Sequence, residues 1–137
     1  MVVGCPAAGK SWVCDQLASD FHYVHHDLFK GMHGAAYVAE IIKQSATAQK
    51  PLLIEAPFSM REIKDPLIAA GFRVTTVFIQ ENDSVLRQRY RAREGREIPP
   101  GHLTRQKTYL ERARLLRAFV GSSAQVLEHL RNQAKNF

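Results

Sequence analysis

The chain has 137 residues, 45% of them hydrophobic and 23% charged, and a formal net charge of +6. That size and mix suit one compact unit with its own core and exclude disorder, collagen and coiled coil. No apolar run approaches the ~18 residues of a membrane span, and the opening MVVGCP lacks the basic and long apolar stretches of a signal peptide.

Met1-Val2-Val3-Gly4 is a short apolar run closed by glycine and predicts a first strand. A helix is expected from Lys10 to about residue 19, and a second strand over 21–25. Residues 34–48 carry Ala35, Val38, Ala39, Ile42 and Ala46 at helical spacing. Pro51 opens Leu52-Leu53-Ile54, the continuous apolar run of a strand buried on both faces. A helix over 59–70 ends at Gly71. The β-branched, apolar run 74–79 predicts a fourth strand. Asp83 or Ser84 caps a long basic helix reaching about Arg93. Gly95, Pro99, Pro100 and Gly101 mark a loop, and helices are expected near 102–117 and 122–135. Ala118-Phe119-Val120 is the one candidate for a fifth strand and is short, which leaves the sheet at four or five strands. Alternating strands and helices predict an α/β fold with a parallel sheet, helices on both faces and right-handed crossovers.

Cys5 and Cys14 form neither a disulfide framework nor a metal-spaced pair, and read as reduced thiols of a cytoplasmic protein. Cys5 is expected in a loop that faces solvent and phosphate, where it is open to oxidation.

The strongest motif is Gly4-Cys5-Pro6-Ala7-Ala8-Gly9-Lys10-Ser11, which fits GxxxxGK[ST] at every fixed position. It follows the first predicted strand and precedes an amphipathic helix with Trp12, Val13 and Leu17. Such a loop turns its N–H groups inward as a nest for phosphate oxygens, and the helix points its positive end at the same anion. Gly4, Ala7, Ala8, Gly9, Lys10 and Ser11 are therefore the expected phosphate-binding positions. Lys10 reaches the β- and γ-phosphates, and the Ser11 hydroxyl is a ligand for Mg²⁺.

In sheets of this kind ligands bind beyond the carboxyl ends of the strands. Those ends carry His25-His26-Asp27, Glu55-Ala56-Pro57 and Gln80-Glu81-Asn82. Asp27 is the candidate general base for an attacking hydroxyl, its plain alternative being a helix cap. Glu55 closes an apolar strand with one acid, the place of a carboxylate that holds magnesium, although aspartate is the usual residue there. Strand alternation sends His25 and His26 to opposite sides, which argues against a histidine metal site and leaves His26 as a candidate substrate contact.

The basicity is local. Residues 85–117 hold ten cations and three acids, for +7, and the rest of the chain nets −1. Arg87 and Arg91 stand four apart on one helical face and repel each other until an anion neutralises them. Arg87, Arg91 and Arg96 are the expected contacts to ATP phosphates or substrate, with Arg87 and Arg91 acting on the transferring phosphoryl group as parts of a lid. Arg89 and Arg93 read equally well as solvated. Tyr90 and Tyr109 are expected in packing.

Together GCPAAGKS, HHD, LLIEAP and RQRYRAREGREIPPGHLTRQKTYLERA resemble the P-loop kinases of nucleosides, nucleotides, polynucleotide 5′-ends and zeta-toxin-type substrates. The resemblance covers nearly the whole chain. It implies a three-layer P-loop NTPase fold with strand order 2-3-1-4-5 and one kinase domain over 1–137, with an arginine-rich lid at about 87–105. It also implies ATP, Mg²⁺ and a lid arginine at the phosphoryl group. The chain is short for the family and leaves little room for a separate acceptor-binding domain. The expected function is transfer of the γ-phosphoryl of Mg-ATP to a hydroxyl of a nucleotide, nucleoside or nucleic acid, one carried on DNA included. Two alternatives stand beside it: a kinase of a small metabolite (a sugar, sugar acid or antibiotic), and a non-kinase NTP-binding switch or ATPase module. No membrane association and no obligate protein partner is evident in the sequence.

Overall fold

A computed structural model describes residues 1–26, 34–56 and 60–136. Asp27 lies outside the described residues. The strands are β1 (Val2–Gly4), β2 (His22–Val24), β3 (Leu52–Ala56), β4 (Val77–Ile79) and β5 (Phe119–Gly121). They form one five-stranded sheet in the order β2-β3-β1-β4-β5, and every pairing is parallel. The helices are α1 (Lys10–Gln16), α2 (Gly34–Ser45), α3 (Met60–Ala69), α4 (Asp83–Glu94), α5 (Pro100–Leu115) and α6 (Ser123–Ala134).

Successive strand residues point to opposite faces, and each face is covered by helices. Val2, Leu53, Val77 and Ile79 pack with Val13 of α1 and Leu17 just after it, Leu86 and Tyr90 of α4, and Val126 and Leu130 of α6. Val3, Ile54 and Phe78 pack with Tyr37 and Ile41 of α2, Ile63 and Leu67 of α3, and Leu110 of α5. The central strands are therefore apolar on both sides, as the unbroken run at 52–54 requires.

The fifth strand exists, although its three residues give almost no periodic signal. It forms because Phe119, Val120 and Gly121 align with Val77, Phe78 and Ile79. A capping box follows at once, in which the Ser122 hydroxyl accepts from Gln125 N–H and the Gln125 side chain accepts from Ser122 N–H. Other expected boundaries shift. The β4 ladder begins at Val77, where β1 and β5 both start beside it, so residues 74–76 lead in without a ladder. Helix α4 begins at Asp83 with Asn82 as its N-cap and no side-chain cap bond. Helix α1 stops at Gln16.

Phe78 is fully buried between neighbours on the second face. Phe78→Ala is expected to lower stability by about 3–5 kcal/mol, through lost transfer energy and the cavity left behind. Urea denaturation reads this as a lower midpoint with an unchanged slope.

Candidate active site

The loop joining β1 to α1 stands at the carboxyl end of the sheet, as the strand order demands. Two glycines make its path possible. A Cβ on Gly4 would meet Ile79 O at 3.1 Å and Ala8 Cβ at 3.3 Å. Gly9 holds φ at +102°, and a Cβ there would lie 3.2 Å from Ser123 Cβ. Ala7 also sits in the left-handed region, at φ +69°, a conformation that disfavours a side chain by roughly 1–2 kcal/mol. The turn closes through Ala8 N–H donating to Cys5 O at 3.0 Å.

Lys10 folds back over this turn. Its Nζ donates to Gly4 O at 2.8 Å and Cys5 O at 3.1 Å. Loss of hydration lowers its pKa to about 8; the Glu55 carboxylate pulls the other way, and Arg93 adds to the lowering. Ser11, one residue into the helix, donates its hydroxyl to Glu55 Oε2 at 3.2 Å. Glu55 is buried, with 3% of its surface exposed. A hydroxyl and a carboxylate are the hard oxygen donors Mg²⁺ selects, and this ion commonly takes one or two protein ligands and fills the rest with phosphate and water. Ser11 and Glu55 thus fit the expected metal. Among the described residues no group of three or more His, Cys, Asp or Glu is placed to hold a metal ion.

Two tyrosines frame Glu55. The Tyr37 hydroxyl accepts from Glu55 N–H at 3.2 Å and donates to Val24 O at 2.8 Å, clasping the last rung between β2 and β3. Burial, and then the neighbouring Glu55 carboxylate, raise the Tyr23 phenol well above its ordinary pKa, so it stays protonated. The histidines diverge as strand alternation predicts. His25 lies on Tyr23 with ring centroids 3.9 Å apart, and His26 meets Tyr37 edge-on at 5.0 Å.

The arginines are arranged by the buried seam of α4, which is Leu86 and Tyr90. Arg89 and Arg93 flank that seam on the side of the loop. Arg89 Nη1 donates to Ala8 O at 3.0 Å and stands 3.5 Å from Glu81 Oε1. Glu81 Oε1 also accepts from Ser123 N–H at 3.0 Å and from its hydroxyl at 2.9 Å. One carboxylate at the end of β4 therefore ties α4, the loop and the start of α6 together. Arg93 is close enough to Lys10 and Cys5 to act on both electrostatically. Arg91 instead pairs with Glu97 in solvent. Arg87 is exposed, and Arg96 lies 5.8 Å from the Tyr90 ring centre.

The structure thus gathers Gly4, Ala7, Ala8, Gly9, Lys10, Ser11 and Glu55 at one place, with Arg87 exposed and Arg91 paired with Glu97. At about 100° per residue, Arg93 falls near the centre of the Leu86–Tyr90 seam and Arg91 far from it, whereas Arg87 and Arg89 flank it equally on opposite sides, so the seam alone does not tell those two apart. One expectation is corrected. Cys5 does not face solvent; it is fully buried and its thiol donates to His102 O at 3.7 Å. Burial pushes that thiol up to about 11, so it stays protonated and unreactive. Within residues 87–105, Tyr90, Ile98 and Leu103 are buried in the same cluster as Cys5 and Ala8.

Gly9→Ala is expected to lower stability by about 1–3 kcal/mol through left-handed strain and the Ser123 contact, read by urea melting, with nucleotide binding lost in calorimetry. Lys10 predicts a pH dependence. Between about 8 and its ordinary 10.5 the folded chain has released a proton that the unfolded chain still holds, so stability rises with pH across that window. Affinity for ATP moves the opposite way and falls above pH 8, because the anion needs the charged form. Lys10→Arg, which keeps its charge throughout, is expected to flatten that fall in calorimetric titrations.

No protein-family model matches the chain, and no curated protein matches it. Among solved structures it is similar to a gluconokinase from Sinorhizobium meliloti 1021, with a TM-score of 0.65 and 22% sequence identity. The alignment covers 98% of this chain and 93% of that one. What the two share is the fold, which in this chain is a parallel sheet ordered 2-3-1-4-5 with helices around it.

Proposed function

We propose that this protein is an ATP-dependent phosphotransferase whose acceptor is a hydroxyl of a small anionic metabolite, a sugar acid being the first candidate. The observation that carries the reading is the Lys10 loop with its buried Ser11–Glu55 pair, set at the carboxyl ends of β1 and β3. The acceptor class is supported by the likeness to a gluconokinase over nearly the full length of both chains.

In this reading the loop N–H groups and Lys10 hold the β- and γ-phosphates. Lys10 exchanges its two loop carbonyls for phosphate oxygens. Ser11 and Glu55 hold Mg²⁺, which supplies charge neutralisation across the phosphates when bound. The acceptor oxygen attacks the γ-phosphorus, the bond to the β–γ bridging oxygen breaks, and ADP leaves. Asp27 takes the proton of the acceptor hydroxyl. Arg89 and Arg93 already stand near the loop, while Arg87, Arg91 and Arg96 would reach the phosphates by turning their side chains toward it. The Arg91–Glu97 pair opposes this weakly, since exposed ion pairs contribute ~0–1 kcal/mol.

The first expectation, a nucleotide or nucleic-acid acceptor, rested on concentrated basicity. That basicity does not converge. Helix α5 runs from His102, beside the loop, to Leu115 at the other end of the sheet. Its 16 residues span about 24 Å at 1.5 Å per residue. Arg112 and Arg117 are thus carried far from the loop, so part of the basicity that suggested a polyanion lies elsewhere, and the likeness to a gluconokinase supports the small-metabolite alternative instead.

Incubation with γ-labelled ATP and a panel of sugar acids, neutral sugars, nucleosides, nucleotides and oligonucleotides, with labelled products identified by mass, tests the reading. A phosphorylated sugar acid is expected. Labelled oligonucleotide alone, or free phosphate without any phosphorylated acceptor, overturns the acceptor class or the kinase reading respectively. Lys10→Ala is expected to abolish turnover and weaken ATP binding. Asp27→Asn is expected to spare ATP binding and slow transfer by about 10²–10⁴-fold.

A further inference from the structure

The far end of the sheet carries a second feature that phosphoryl transfer does not use. An open groove of about 1280 Å³ runs along the residues that lead into β4 and β5, between α3, the end of α5 and the second half of α6. It lies at the amino ends of the strands, opposite the Lys10 loop. Five cations line it: Arg61 and Lys64 from α3, Arg73 ahead of β4, and Arg112 and Arg117 around the end of α5. Glu62 and Asp65 are the carboxylates of the lining. Arg61, Lys64, Arg73 and Arg117 form no ion pair with any described residue. Arg112 sits 5.0 Å from the Tyr109 ring centre. Among the described residues the lining thus carries five cations against two carboxylates, a net positive charge that favours an anionic occupant.

Its rim is apolar. Leu115 and Leu116, adjacent at the end of α5, are 84% and 65% exposed. Two neighbouring leucines left in water between Arg112 and Arg117 lose the burial that would stabilise them. The chain enters β5 through Arg117 at φ +54°, a left-handed conformation that is uncommon for a residue with a side chain. The Thr76 hydroxyl, on the groove lining, is buried without a partner.

These features choose among anionic occupants. A compact metabolite is too small for an open trough above the usual ~300–1,000 Å³ of small-molecule sites. Single-stranded nucleic acid draws on free aromatic faces for stacking, yet Phe119 is stacked on His129 at 3.9 Å and Arg112 covers Tyr109. A polypeptide carrying carboxylates and aliphatic side chains matches both halves of the surface, with its acids against the arginines and its apolar residues on the leucines. A second copy of this chain, with net charge +6, would add repulsion. We propose that this groove is a docking surface for an acidic, amphipathic segment of a partner protein, seated at the end of the sheet opposite the nucleotide.

The test uses the full chain and a short fluorescent peptide of glutamate and leucine in amphipathic helical order, followed by anisotropy at low and high salt. Saturable binding that weakens with salt is expected. Leu115→Ser with Leu116→Ser, and separately Arg112→Glu with Arg117→Glu, are each expected to weaken it at least about tenfold, as hot-spot losses do. Neither pair touches the loop, so ATP affinity stays as in the parent protein and reports that the variants are folded. Chemical-shift changes on peptide addition are expected at Thr76, Leu116 and Ala118. The proposal is overturned if the peptide does not bind, or if both variant pairs bind it as the parent does. It is equally overturned if polyglutamate without leucine or a single-stranded oligonucleotide binds the groove as tightly, since the surface then reads charge alone.

Discussion

The peptide between Ala8 and Gly9 is the hinge on which the candidate site turns. A trans peptide points its C=O and N–H in opposite directions. Arg89 holds the Ala8 carbonyl outward, which aims the Gly9 N–H inward, where an anion would lie. Arg89 is itself held near Glu81, and Glu81 is held by two donors of Ser123. A loop that must present N–H groups in one direction is therefore braced from behind by three elements. The close approach this needs explains the glycine at position 9 more fully than the turn alone does, because both Ser123 and Arg89 press on the place of its missing side chain.

Without an anion, an inward-facing nest and a lysine ammonium would each be left partly unsatisfied. Lys10 resolves its half of this by donating to the carbonyls of Gly4 and Cys5, and Ser11 does so by donating to Glu55. Both contacts use groups that a triphosphate and its metal would engage. In the proposed reading, phosphate and metal would take the place of these contacts within the chain. Burial that lowers the lysine pKa also strengthens its pairing with an arriving anion, since both effects follow from the same low local dielectric.

Sequence made the contiguous parts of this arrangement legible. Eight consecutive residues specify the loop, and a strand closed by one acid pointed to Glu55, because each signal lies within a few positions. What escaped was set by packing across the chain. That Arg89 meets the loop depends on which side of the Leu86–Tyr90 seam Ala8 and Glu81 lie. Glu81 was marked only as a residue at a strand end, and its bond to Ser123 spans 42 positions. The fifth strand has three residues, two of them half-buried, too few for alternation to show. It is held by its register with β4, which no local pattern encodes. The groove at the far end is assembled from three helices and two strand approaches and has no linear signature at all.

The distribution of charge shows how one fold serves two needs. A parallel sheet has chemically different ends: its carboxyl end gathers loops and helix amino termini, which suit phosphate, while its amino end receives helix carboxyl termini, which suit cations. Arg112 and Arg114 occupy the last turn of α5, where the helix dipole favours positive charge. Part of the basic segment is therefore explained by the helix it sits on, before any partner is invoked. The dipole does not account for Arg73 and Arg117, which lie outside helices, nor for leucines left in water beside them. Helix electrostatics makes the amino end of the sheet tolerant of arginines. The exposed aliphatic rim is the feature that the proposed partner segment would cover.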